Sequence, residues 1–161
     1  DELRALFASF DTSGDGQIIV FDQQITSALQ LAALRGVDVR ILVPKNGDHA
    51  PTYLAGWSYF DEVLESGCRL FQYTDGFCHQ KVLLADSDLA LVGSANLDNR
   101  SMRLNFELGA LVEGVLFAAE VASMLEGDLA RSEEIQQGDF ARKPLHFRLL
   151  ARFARLFAPI L

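Results

Sequence analysis

The chain has 161 residues, with 50% hydrophobic and 22% charged side chains, 14 basic against 22 acidic, which is an ordinary soluble composition and a length suited to one domain. A chain of this size buries about 68–70% of its unfolded surface and needs no disulfide framework, so Cys68 and Cys78, without zinc-type spacing or a cleavable hydrophobic leader, point to a reducing, cytoplasmic setting. The longest apolar stretch, Gly109 to Ala119, is broken by Glu113, which excludes a bilayer-spanning helix and leaves only a peripheral membrane role.

In chain order, Leu3, Leu6, Phe7 and Phe10 fall at helical spacing and predict a short first helix, closed by the Gly-rich residues 11–17. Ile18 to Phe21 is a β-branched run read as the first strand. Asp22 then stands as N-cap before Ile25, Ala28, Leu29, Ala32 and Ala33, a helix ending at Gly36. Val37 to Val43 alternates up to Pro44 and predicts a strand, giving a βαβ unit. Thr52 to Ser66 reads as a helix with Gly67 at its C′ position, and Cys68 to Tyr73 as a strand.

His79 to Ala85 and Leu89 to Val92 read as strands of a hairpin turned at Asp86-Ser87-Asp88. Leu104 to Val112 reads as a buried strand, Val115 to about Ile135 as one long helix, and Pro144 opens a last helix running to Phe157. The alternation predicts an α/β fold, a mixed β-sheet flanked by helices.

The residues His79 to Glu107 carry the chemistry. Alternation along a strand puts His79 and Lys81 on one side, and the adjoining strand end brings Ser94 and Asn96 beside them. An imidazole, an ammonium, a hydroxyl and an amide that converge suit a phosphoryl group, with lysine neutralising its oxygens and histidine attacking phosphorus or protonating the leaving oxygen. Glu107 on the later strand is placed to hold the second imidazole nitrogen.

His79, Lys81, Asp86, Gly93, Ser94 and Asn96 match HxKx4Dx6GSxN at every fixed position, the signature of the phospholipase D superfamily. The surrounding text, with SALQLAALRGVDVRILVP, the Asp48-His49 pair, GSANLDNRSMRLNFE and the Arg-rich end, more closely resembles the C-terminal half of bacterial cardiolipin synthases. That resemblance implies one half of a two-motif α/β enzyme whose halves meet around a shared site. In such a site one histidine forms a phosphohistidine and the other protonates the departing alcohol, with no metal or cofactor.

The implied reaction is phosphatidyl transfer, phosphatidylglycerol to cardiolipin plus glycerol, at the cytoplasmic face of the inner membrane. By residue it implies His79 as nucleophile or general acid, Lys81, Ser94 and Asn96 as phosphate binders, Glu107 orienting His79, and Asp86 supporting. The sequence carries one motif where the family has two, so the implied partners are a second motif-bearing half-domain or a second copy, together with anionic phospholipid and a membrane surface.

Two segments carry competing readings. Asp11, Ser13, Asp15, Gly16, Ile18 and Asp22 match positions 1, 3, 5, 6, 8 and 12 of an EF-hand loop, although Asp replaces the final Glu. Residues 1–21 are accordingly read as a separate helix and loop, and residues 22–161 as the phospholipase D-like domain. In the last helix Arg148, Arg152 and Arg155 lie opposite Leu150, Phe153 and Phe157, which fits either a helix docked on the core with solvated arginines or an interfacial helix on anionic lipid.

Arg142, Lys143, Arg148, Arg152 and Arg155 give +5 with no acid after Asp139, so a total of −8 leaves −13 on residues 1–141. Such a body disfavours nucleic acid as partner and ranks a homodimeric phosphodiesterase or nuclease below phosphatidyl transfer. The reading from another class is a non-catalytic half-site or a calcium-binding module.

Overall fold

The computed structural model describes residues 5–10, 22–45, 50–76, 78–97 and 99–157. In chain order these form β1 (Ala5–Phe10), α1 (Gln23–Leu34), β2 (Asp38–Pro44), α2 (Ala50–Glu65), β3 (Arg69–Tyr73), β4 (Lys81–Ala85), β5 (Leu89–Gly93), α3 (Asn99–Arg103), β6 (Gly109–Glu113), α4 (Val115–Leu129), β7 (Ser132–Ile135), α5 (Asp139–Arg142) and α6 (Leu145–Phe157). The described strands make one sheet in the order β6-β5-β4-β1-β2-β3-β7. β1, β2 and β3 run parallel, and β4, β5, β6 and β7 pair antiparallel to their neighbours.

Helices cover both faces, as expected for strands that are apolar on both sides. Leu6, Ala8, Val39, Ile41, Val43 and Leu70 face Leu29 of α1 and Trp57, Phe60 and Val63 of α2. Phe7, Val82, Leu84 and Ala90 face Ala118, Val121 and Leu125 of α4. α6 packs on the outside of α2, with the Phe147 ring edge-on to Tyr53 and Trp57.

Four expectations are corrected. The helical spacing of Leu6, Phe7 and Phe10 belongs to a strand, because β1 lies mid-sheet and buries Leu6 and Ala8 on one face and Phe7 on the other. Periodicity cannot separate a short doubly buried strand from a helix turn. Residues 5–10 are therefore part of the same sheet, not of a separate N-terminal unit. The expected strand at Ile18–Phe21 and the EF-hand positions 11–21 lie outside the described residues. Asp22, the last position of that loop, is spent otherwise: its Oδ1 accepts the N–H groups of Gln24 and Ile25 and caps α1.

The predicted long helix stops at Leu129, and Ser132–Ile135 turns back as β7 against β3. Glu133 pairs with Lys45 at 2.7 Å and Glu134 with Arg69 at 2.8 Å, cross-strand partners that no helical pattern reveals. The strand expected to be buried at Leu104–Val112 is shorter, β6, and lies at the sheet edge with Leu111 65% exposed.

Candidate active site

β4 starts where β1 ends, Lys81 opposite Phe10, so its first residues stand at the carboxyl ends of the parallel strands, where open α/β sheets bind their ligands. A pocket of about 730 Å³ opens there, lined by His79, Lys81, Gly93, Ser94, Asn96, Leu104, Asn105, Phe106 and Glu107. Five of the six candidate residues meet in it. Lys81 Nζ stands 3.1 Å from Nε2 and 3.4 Å from Nδ1 of an exposed His79. Gln80 between them points the other way and donates to Asp128 of α4 at 2.6 Å, which fixes the alternation that puts His79 and Lys81 on the pocket side.

Asp86 is the exception. It occupies the hairpin turn at the far end of β4 in the left-handed region, φ +50°, which Asp tolerates through local hydrogen bonding. Its Oδ1 accepts the Ala5 N–H at 2.7 Å and its own N–H donates to the Ala5 carbonyl at 2.8 Å. The motif aspartate thus ties the hairpin to the start of β1 and has no place in the pocket.

Ser94 Oγ donates to Glu107 Oε2 at 2.6 Å and accepts the Leu108 N–H at 3.0 Å, so the hydroxyl bridges the β5 end to the segment leading into β6. Glu107 accepts this bond and one from Asn105 at 3.2 Å. The Ser94 hydroxyl holds the Glu107 carboxyl below the usual range against the opposing effect of burial, helped by Ser101, Asn105 and the nearby Lys81 charge. Glu107 therefore stays ionised and counterbalances Lys81. Asn96 is buried at 7% exposure behind the pocket. Asn105, two residues before Glu107, escaped the sequence reading; its only signal was membership of the LNFE segment.

The loop carrying Asn96 is held from behind. The Asp22 N–H donates to the Leu97 carbonyl at 2.6 Å, and Arg103 of α3 donates to Asp22 Oδ2 through Nε at 3.2 Å and through a terminal nitrogen at 3.1 Å. Burial pushes the Asp22 carboxyl up, but the N–H groups of Gln24 and Ile25 and the Arg103 guanidinium outweigh it and leave it below the ordinary aspartate range. A depressed carboxyl stabilises the fold above its unfolded pKa, and that contribution is lost as pH falls through the lower folded value. Arg103→Gln is expected to cost about 1–2 kcal/mol near neutral pH. Urea melts at pH 7 and pH 3 should show a smaller loss on acidification than in the parent chain.

Comparison with known families bears on this arrangement. Residues 11–129 match the family described as "Cardiolipin synthase, PLD-like domain". The chain belongs to this phospholipase D-like family. It is 47% identical over 140 residues to cardiolipin synthase A of Pseudomonas fluorescens SBW25, covering 87% of this chain and 29% of that one. With cardiolipin synthase A of Pseudomonas aeruginosa PAO1 the identity is 49% over 140 residues, at the same coverage of 87% and 29%. The chain thus spans under a third of the length of these relatives.

Among solved structures, the phospholipase D family member Nuc from Salmonella typhimurium superposes with a TM-score of 0.70 at 19% identity, covering 84% of either chain. Phosphatidylserine synthase from Haemophilus influenzae gives 0.70 at 16% identity, covering 98% of this chain and 40% of that one. At these identities the likeness is one of fold, and it places this PLD-like domain in the expected α/β class.

Proposed function

We propose that this PLD-like domain supplies one half of a phosphatidyl-transfer site that converts two phosphatidylglycerol molecules to cardiolipin and glycerol. The observation that supports the reading is the convergence of His79, Lys81, Asn96, Ser94 and Glu107 on one pocket, in a chain nearly half identical to cardiolipin synthases. A ring nitrogen of His79 attacks the donor's phosphorus, forming an N–P bond as the P–O bond to glycerol breaks. Lys81 and Asn96 bind the non-bridging oxygens; Ser94 positions Glu107, whose negative charge holds the Lys81 ammonium in place. A hydroxyl of the second phosphatidylglycerol then attacks phosphorus and gives its proton to the group that protonated the departing glycerol, the N–P bond breaks, and His79 is regenerated.

The proton for the departing glycerol oxygen has to come from a second acid. His146 lies on α6, outside the pocket lining, and His49 is outside the described residues. A second motif is the source, carried by the remainder of a longer protein or by a second copy of this chain. Leu104, Phe106, Leu108 and Leu111 are 65% or more exposed along the pocket rim and β6, an apolar surface suited to that second half. We place the reaction on anionic phospholipid at the cytoplasmic face of the inner membrane.

The test is to incubate the chain over a range of concentrations with phosphatidylglycerol vesicles and measure cardiolipin and free glycerol. Product rising with the square of concentration fits a site shared between copies. Product that needs an added second half-domain fits a divided enzyme. A folded chain that yields none under either condition overturns the reading.

A further inference from the structure

α6 faces the opposite way from a docking helix with solvated arginines. Successive helix residues turn by about 100°, so Phe147, Ala151 and Ala154 share one side, and this is the side packed toward α2. Two arginines lie next to it and turn inward. Arg155 donates to the Ser58 carbonyl at 3.1 Å, pairs with Glu62 at 2.9 Å and stacks over the Tyr59 ring at 4.2 Å. Arg148 is half-buried, with its Nε shielded from solvent. The side turned outward is apolar: Leu145, Leu149, Leu150, Phe153 and Leu156 are 52–71% exposed. Arg152, exposed and with no ion pair among the described residues, borders this face.

We infer that α6 docks the domain on an anionic bilayer, its outward leucines and Phe153 entering the headgroup boundary while Arg152 meets lipid phosphate. The inference deepens the phosphatidyl-transfer reading, on which its choice of lipid rests, by naming the element that meets the membrane. Charge selects this occupant. Residues 140–161 carry +5 without an acid and residues 1–139 carry −13; Arg142 pairs with Asp139 and Arg155 with Glu62, which leaves Arg152 as the exposed cation bordering the outward face, so charge favours this side for an anionic surface. A second copy seated on the same face would bring two Arg152 guanidinium groups together. An apolar face bordered by basic residues is also the composition of helices that lie in the membrane interface.

The test is sedimentation of the full chain with phosphatidylcholine vesicles, with and without phosphatidylglycerol. Binding is expected on the anionic vesicles, weakened by salt, and reduced at least about tenfold in the double variant Leu149→Glu, Leu156→Glu. These side chains are exposed, so thermal unfolding should be unchanged. Should the double variant fail to fold, Arg152→Gln keeps the test decisive, with an expected loss of about fivefold. Vesicle binding by the parent that is absent, or equal in all variants, overturns the inference. So does a parent that elutes as a dimer, becomes monomeric on the double substitution and binds vesicles no differently. Sedimentation needs no turnover: a chain that binds through α6 but makes no cardiolipin, either at high concentration or with an added second half-domain, counts against the transfer reading and leaves this one standing.

Discussion

His79→Ala is expected to lower phosphatidyl transfer by about four orders of magnitude or more, because it removes the group proposed to form the covalent intermediate. The side chain is exposed and lies beside Lys81, so the fold should be retained with an unchanged melting temperature. Phosphatidylglycerol labelled at phosphorus should leave an acid-labile, alkali-stable label on the parent protein and none on the variant. A variant that transfers at the parental rate would remove His79 from the chemistry.

Gly93→Ala is expected to damage stability and activity together. A Cβ at Gly93 would lie 2.6 Å from the Leu108 carbonyl oxygen and 2.9 Å from the Gly109 Cα, both backbone atoms that no rotamer change can move aside. β5 and β6 must therefore part where Ser94 bridges to Glu107 and Leu108. Overpacking of this kind costs about 1–3 kcal/mol, and a chemical denaturation curve should show it. The rate should fall by about a hundredfold, since displacing catalytic groups by about 1 Å is costly. Gly109→Ala, whose Cβ would meet only the Leu91 side chain at 3.2 Å, should cost far less and serves as the control. Equal effects at the two glycines would mean that the close strand approach is not what the motif glycine provides.

The pocket was legible in the sequence because its residues are local. His79, Lys81, Ser94, Asn96 and Glu107 come from one antiparallel stretch, and period-two alternation with one hairpin suffices to bring them together. The wiring among them was not legible. Ser94 donates a hydrogen bond to Glu107, an outcome that depends on how closely β5 and β6 approach and not on residue type alone. Asp86 was legible as a turn residue in a supporting role, but its partner was not, because the Ala5 N–H it accepts lies far away in sequence at the start of β1.

The helix and strand boundaries failed where tertiary partners decide them. β7 pairs along β3 with Ile135 buried in the core, while Glu133 and Glu134 meet Lys45 and Arg69 on the exposed side. β1 was misread because Leu6, Phe7 and Ala8 are apolar on both faces. For α6 the arginine spacing was visible, but which side of the helix met α2 was a matter of Phe147, Ala151 and Ala154 fitting against it.

The central place of β1 has a consequence during synthesis. This strand is made before both of its neighbours, β2, with Leu6 opposite Val39, and β4, with Leu6 opposite Ala85. When β2 has emerged from the ribosome, one margin of β1 still presents unpaired N–H and C=O groups. At translation speeds of about 5–20 residues per second, roughly two to eight seconds pass before β4 arrives to cover them. An open, apolar strand margin is a template for pairing with other chains. The hairpin that brings His79, Lys81 and Ser94 to the pocket is thus also the piece that seals the nascent sheet, so changes that slow closure of β4 and β5 should reduce the yield of soluble protein.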